Sequence, residues 1–226
     1  MKSTDFEIDN GVLIRYHGSD KNVIIPDGVK EIGEGAFFNI CSSLTSIHIP
    51  DGVREIGNEA FLWCGSLKSI NVPDSVKSIG SIAFCGCSRL SEISIPDSVI
   101  SIGRGAFDKT PYVEDDSNWE NGVLYLGRNL IKSKSIKGVY SIKPGTVSIG
   151  VEGFRDCENL IEVIVPDSVL HIDSYAFRDC KSLTSINIPD GVTKIADGAF
   201  YGCKSLVSIH IPDGVTEIAD DAFLWL

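Results

Sequence analysis

Short stretches in which apolar and polar residues alternate recur along this chain at a fixed interval. In Leu67–Pro73 and again in Leu206–Pro212 an apolar residue is followed by an Ile-x-apolar-Pro ending, the period-two pattern of a strand with one face buried. Proline then stops the pairing and Asp-Gly or Asp-Ser supplies the turn. A second apolar pair follows, Val53 with Ile56 and Val76 with Ile79, which predicts another brief extended segment on the far side of the coil. The Ala-Phe pairs Ala60-Phe61, Ala83-Phe84, Ala176-Phe177 and Ala199-Phe200 fit a single helical turn. Their rings would enter the core, and alanine would let the next rung approach.

The interval is 23 residues from Pro50 to Pro73, Pro73 to Pro96, Pro166 to Pro189 and Pro189 to Pro212, and 24 from Pro26 to Pro50. A unit this small cannot bury its apolar face alone, so neighbouring units must stack. Three complete units run from Pro26 to Ile95, and a fourth breaks off after Ala106-Phe107. Three more run from Lys143 to Ile211, and another breaks off after Ala222-Phe223. Each array follows a leader with Asn-Gly between extended stretches, Phe6–Leu13 and Trp119–Leu124, a strong short hairpin signal. The chain is therefore a duplication. It reads as one stacked domain over 1–226, with an N-terminal capping hairpin over 1–25, repeats 1 to 3.5 over 26–107, a central degenerate repeat or hairpin over 108–142, and repeats 5 to 8 over 143–226.

With 43% hydrophobic and 23% charged residues the composition is that of an ordered globular chain. No apolar run approaches the roughly 18 residues of a membrane-spanning helix, so membrane insertion is not expected. A net charge of -11 argues against nucleic acid, whose phosphates require clustered Lys and Arg. Met1–Glu7 lacks the basic-then-apolar pattern of a secretory signal, which implies a chain that stays inside or has been trimmed.

The phrase C-x-x-L-x-x-I-x-(I/V)-P followed by V-x-x-I-(G/A)-x-x-A-F, as in Cys64 through Phe84 and Cys180 through Phe200, resembles the BspA-type, or treponemal-type, leucine-rich repeat family. The likeness covers nearly the whole chain. It implies a right-handed leucine-rich-repeat solenoid, mainly β with short helical turns, carrying its main parallel sheet on one face. It also implies a secreted or cell-surface location and adhesion or recognition of a protein or glycan.

Seven cysteines invite a disulfide or metal reading, but Cys41, Cys64, Cys87, Cys157, Cys180 and Cys203 share one repeat position, three before the buried Leu. Stacking sets such thiols roughly 5 Å apart and parallel, a poor bridging geometry, so a buried thiol column is expected. Cys85 and Cys87 form only C-x-C, a weak metal signal without a second pair. Asp27, Asp51, Asp74, Asp97, Asp167, Asp190 and Asp213 each follow the proline. They are expected to accept backbone N–H bonds in their own turns; a calcium edge is the competing reading, without the G-G-x-G-x-D repeat that builds such cages. His48 and His210 occupy one outward strand position many rungs apart, and no nucleophile, base and orienting acid assemble from the repeated Ser and Asp. No enzyme, cofactor or metal site is expected.

The outward strand residues vary where the inward ones do not. One column reads His48, Asn71, Ser94, Ile164, Asn187, His210, and small polar side chains on a rigid surface suit a protein or glycan partner; a merely solvated sheet is the other reading. The central segment carries Arg128, Lys132, Lys134, Lys137 and Lys143 with no acidic residue for 31 positions after Glu120, a local basic patch. It also holds Trp119, Tyr125 and Tyr140, which serve either as interface anchors or as core of a degenerate rung. Trp63 stands where other units have Gly, Asp or Lys and is a further anchor candidate. The binding set is therefore the six sheet-face residues together with Tyr125, Arg128, Lys132, Lys134, Lys137 and Trp63. These residues predict a monomeric, noncatalytic recognition module; a structural spacer of a larger surface protein is the alternative.

Overall fold

The computed structural model describes residues 5–225, and its contacts divide into two compact units, Met1–Asn118 and Trp119–Leu226. Each unit opens with a hairpin and continues as a stack of parallel rungs, the stacking that the period predicts and the leucine-rich-repeat solenoid that the family resemblance implies. In the first unit Phe6–Asp9 pairs antiparallel with Val12–Tyr16, turning at Asn10 and Gly11 with φ of 50° and 83°. Two successive positive φ angles match the strand twist in a two-residue turn. The hairpin's second strand then starts a parallel ladder through Glu31–Ile32, Glu55–Ile56, Ser78–Ile79 and Ser101–Ile102. These dipeptides are the far-side segments expected from the Val/Ile pairs.

The Ile-x-Ile strands form the other face, Asn22–Ile24 beside Ser46–His48 and Ser69–Asn71 beside Glu92–Ser94. In the second unit Trp119–Glu120, Val123–Leu126 and Asn129–Ser133 make an antiparallel meander that continues into Ser148–Ile149, His171–Ile172, Lys194–Ile195 and Glu217–Ile218. Its opposite face runs Lys137–Ser141, Asn159–Ile164, Ser185–Asn187 and Ser208–His210. Both faces of every coil thus carry a ladder, where the repeat phrase suggests one dominant sheet.

The Ala-Phe segments form a third line of contact. Each is a tight turn closed by i to i−3 bonds, such as Leu62 N–H to Glu59 O at 3.0 Å and Cys64 N–H to Phe61 O at 3.1 Å. Its amides also reach the next rung: Phe61 N–H bonds Ala83 O at 2.8 Å, Phe84 bonds Ala106 at 2.7 Å, and Phe177 bonds Ala199 at 2.8 Å. Left-handed residues flank the turn, Glu59 at φ 57° and Trp63 at φ 60°, and their N–H groups bond Ser81 O and Cys85 O. Alanine is needed because a larger side chain would stand between rungs at this spacing.

Inside each unit the Phe rings stack. Phe37, Phe61, Phe84 and Phe107 follow one another at 4.8, 5.0 and 5.1 Å between centroids; Phe154, Phe177, Phe200 and Phe223 follow at 5.3, 5.4 and 5.4 Å. A tyrosine closes the first end of each stack, Tyr16 against Phe37 and Tyr140 edge-on to Phe154, both at 5.7 Å. Burying each such ring stabilises the coil by about 2–3 kcal/mol. The first unit finishes in a four-residue helix, Pro111–Glu114, after the buried Thr110, whose hydroxyl donates to Phe107 O at 2.7 Å and accepts from Val113 N–H.

The thiol column needs one correction. Cys41 and Cys64 are joined as a disulfide, their Cα atoms 3.8 Å apart, while Cys85, Cys87, Cys157, Cys180 and Cys203 are free and buried. Only the rung of Cys41 has an extra residue between its Phe and Cys, taken up by a 3₁₀ turn over Phe38–Ile40, so its cysteine leaves the parallel arrangement of the others. Elsewhere the thiols donate to main-chain carbonyls, Cys87 to Phe61 O at 3.2 Å and Cys203 to Phe177 O at 3.1 Å. Burial pushes the Cys87 thiol up to about 12. No helix among the described residues is long and apolar enough to cross a membrane.

Candidate binding grooves on the strand face

Alternation decides what the Ile-x-Ile strands display. Ile70 and Val72 point inward and are buried, so Asn71 between them points out, and the same register exposes His48 and Ser94. After each strand come a buried or half-buried apolar residue, the proline, and the exposed aspartate. In the first unit these residues enclose an open groove of about 330 Å³ lined by His48, Asn71 and Ser94, with Pro73, Pro96, Asp51 and Asp74 along one side.

The second unit repeats the arrangement. A groove of about 370 Å³ is lined by Glu162, Ile164, Ser185, Asn187, Ser208 and His210. A hollow of about 280 Å³ adjoins it at Asp190, His210, Pro212 and Asp213. The six sheet-face residues singled out from the sequence therefore fall into two grooves, His48, Asn71 and Ser94 in one and Ile164, Asn187 and His210 in the other. No Lys, Arg, Phe, Tyr or Trp side chain lines either groove.

The aspartates differ from expectation. The turns after Pro50, Pro73, Pro96, Pro166, Pro189 and Pro212 are closed by the backbone, as in Val76 N–H to Pro73 O at 3.0 Å, Val99 to Pro96 at 3.1 Å, and Val192 to Pro189 at 3.0 Å. The carboxylates of Asp27, Asp51, Asp74, Asp97, Asp167, Asp190 and Asp213 remain exposed, and none has a side-chain hydrogen bond or ion pair among the described residues. The proline carbonyl has already accepted the bond, so the side chain is left to the solvent. Reading them as turn-closers concealed their place at the groove rim; the signal was their constant offset of three residues from the outward strand position. Among the described residues no three His, Cys, Asp or Glu side chains converge as a metal ion would require.

The central segment is less open than its composition suggests. Tyr125, expected among the exposed aromatics, is only 8% exposed. Its hydroxyl lies 3.2 Å from that of Tyr140 and accepts Lys143 N–H at 3.3 Å. All four residues of Val123–Leu126 are buried, because this strand is covered on both faces. Lys143 pairs with Glu120 at 2.7 Å, the Lys134 ammonium sits 4.6 Å from the Trp119 ring, and Arg128 Nε donates to Gly145 O at 2.9 Å. Lys132 and Lys137 are exposed on their strands. The basic patch is thus partly spent on internal contacts. Trp63 is 53% exposed, with the Lys109 ammonium 5.0 Å from its ring.

The family model described as BspA type leucine rich repeat region matches in six copies over residues 15–137 and 126–225. Among solved structures, the leucine rich repeat protein of T. pallidum is 29% identical over 96% of this chain and 85% of its own, with a TM-score of 0.45. A leucine rich cell surface protein of Faecalibacterium prausnitzii A2-165 is 26% identical over 97% and 90%, TM-score 0.40. A leucine-rich repeat protein of Bacteroides ovatus is 25% identical over 91% and 76%, TM-score 0.37. No curated protein matches the chain.

Proposed function

The chain belongs to the BspA-type leucine-rich repeat family, and on that premise we propose that it is a noncatalytic recognition module of a cell surface, binding a protein or glycan through its strand-face grooves. The observation that carries this reading is the contrast along the ladder. Inward positions hold the same apolar residues rung after rung, while the outward column changes from His48 to Asn71 to Ser94 and from Ile164 to Asn187 to His210. A spacer needs only the first property. Three hydrogen-bonded lines per rung hold that outward surface rigid, so little order is lost on binding. The module acts as a monomer, without nucleic acid and without insertion into a membrane.

Arrays of glycans and extracellular proteins test the reading with the wild type and with a variant carrying Asn71→Ala, His48→Ala, Asn187→Ala and His210→Ala. A ligand held by the wild type and lost by the variant is the expected result. Absence of any ligand for the wild type would leave the spacer role.

A further inference from the structure

We propose that each strand-face groove receives an extended, cationic segment of a partner protein, whose Lys or Arg side chains pair with the carboxylates that follow the prolines. This rests on the recognition reading above and narrows it to one chemistry. The grooves offer Asp51 and Asp74 in one unit and Glu162, Asp190 and Asp213 in the other, with no Lys or Arg among their linings. The rim aspartates are exposed, and none has an ion pair among the described residues. Stacking repeats one aspartate per rung, on rungs whose strand backbones lie about 4.8 Å apart. A row of like charges at that spacing is a standing electrostatic cost that a cationic ligand relieves.

The rest of the lining agrees with that occupant. Sugars held in shallow sites stack on Trp, Tyr or Phe faces, and these grooves have none of the three; acidic glycans would meet the carboxylate rim. Asn71, Ser94, Ser185, Asn187 and Ser208 supply donors and acceptors for a peptide backbone laid across the rungs. Each strand beneath has a paired neighbour, Ser46–His48 with Asn22–Ile24 and Ser69–Asn71 with Glu92–Ser94 in the first groove, and Ser185–Asn187 with Ser208–His210 in the second. The groove lies over the outward side chains, so recognition proceeds through side chains and not by addition of a strand. Each exposed ion pair contributes little alone. Affinity therefore comes from several pairs together and must fall steeply with salt.

The test uses a synthetic peptide of six Lys-Ser repeats and its Glu-Ser counterpart, titrated into the full chain. The Lys peptide is expected to bind, at least about tenfold more weakly at 0.3 M than at 0.05 M salt, and the Glu peptide not to bind. The variant Asp51→Asn, Asp74→Asn, Asp190→Asn, Asp213→Asn should lose about tenfold or more in affinity. A control with four exposed carboxylates neutralised elsewhere, Asp9→Asn, Glu34→Gln, Glu114→Gln and Asp220→Asn, should lose less than about twofold. The replaced rim aspartates make no internal bond, so an unchanged melting temperature confirms that both variants fold. Equal losses in the two variants, or no binding of the Lys peptide by the wild type, overturn the proposal. If the Lys peptide fails while an array ligand is still lost on replacing Asn71 and Asn187, the cationic assignment falls and the recognition reading stands.

Discussion

The Trp63 indole lies face-on against Gly86, where an added Cβ would stand 2.2 Å from Cε3 and 2.6 Å from the two ring atoms bonded to it. The two residues occupy the same position in successive rungs, and Gly86 has φ of 74°. Gly86→Ala should therefore lift the ring off the surface and cost about 1 kcal/mol or more for the left-handed backbone alone. In a background with Trp119→Phe and Trp225→Phe, the emission maximum of Trp63 should shift to the red. An unchanged spectrum would place the ring elsewhere.

The stacked rings set unequal costs along the second unit. Phe177 is fully buried between two rings, whereas Phe223 has a neighbour on one side and is only partly buried. Phe177→Ala should destabilise by about 3–5 kcal/mol, and Phe223→Ala by clearly less. Urea unfolding of the two variants measures the order, and equal losses would contradict it.

Alkaline pH should weaken the second unit through Tyr140. Burial first, then the hydrogen bond with Tyr125, raises the Tyr140 phenol above its ordinary value. A raised acid favours the folded state in its neutral form, so this contribution is complete below about pH 10 and declines as pH rises through the folded value. Tyr140→Phe should flatten the loss of stability above pH 10. Melting temperatures from pH 8 to 12, with absorbance at 295 nm, follow both effects.

Thiol chemistry separates the two kinds of cysteine. Alkylation of the native protein should be slow at every position, since all the free thiols are buried. After denaturation without reductant, five thiols should react, and digestion should release a cross-linked peptide containing Cys41 and Cys64. Seven reactive thiols would exclude the bond.

The rungs were legible because burial repeats with the period: Val76, Ile79, Phe84 and Leu90 are all inward, as are their counterparts one unit back, Val53, Ile56, Phe61 and Leu67. The groove walls were legible for the same reason, since alternation about Ile70 leaves Asn71 only one direction. What escaped were departures from a local rule. Tyr125 lies in a run of four apolar residues, and such a run marks a strand covered on both sides; the neighbouring lysines drew attention to charge instead. The rim aspartates were assigned to turn closure because that is their commonest use, yet the proline carbonyl had taken the bond. Cys41 moved out of line through one inserted residue, whose effect depends on the conformation that absorbs it.

The turn bonds between rungs all run one way. Glu59, Phe61 and Trp63 donate to Ser81, Ala83 and Cys85, those of the next rung donate onward, and Tyr175, Phe177 and Asp179 do the same toward Asp197, Ala199 and Tyr201. Aligned amides add as dipoles. The line of Ala-Phe turns therefore carries its own polarity along the stacking direction, positive toward the later rungs and negative toward the hairpin, while the far-side bonds, such as Arg54 N–H to Lys30 O and Gly57 N–H to Ile32 O, run the other way. The polarity of the turn line grows with every repeat added, and in the second unit Asp220 and Asp221 of the last turn lie at its positive pole.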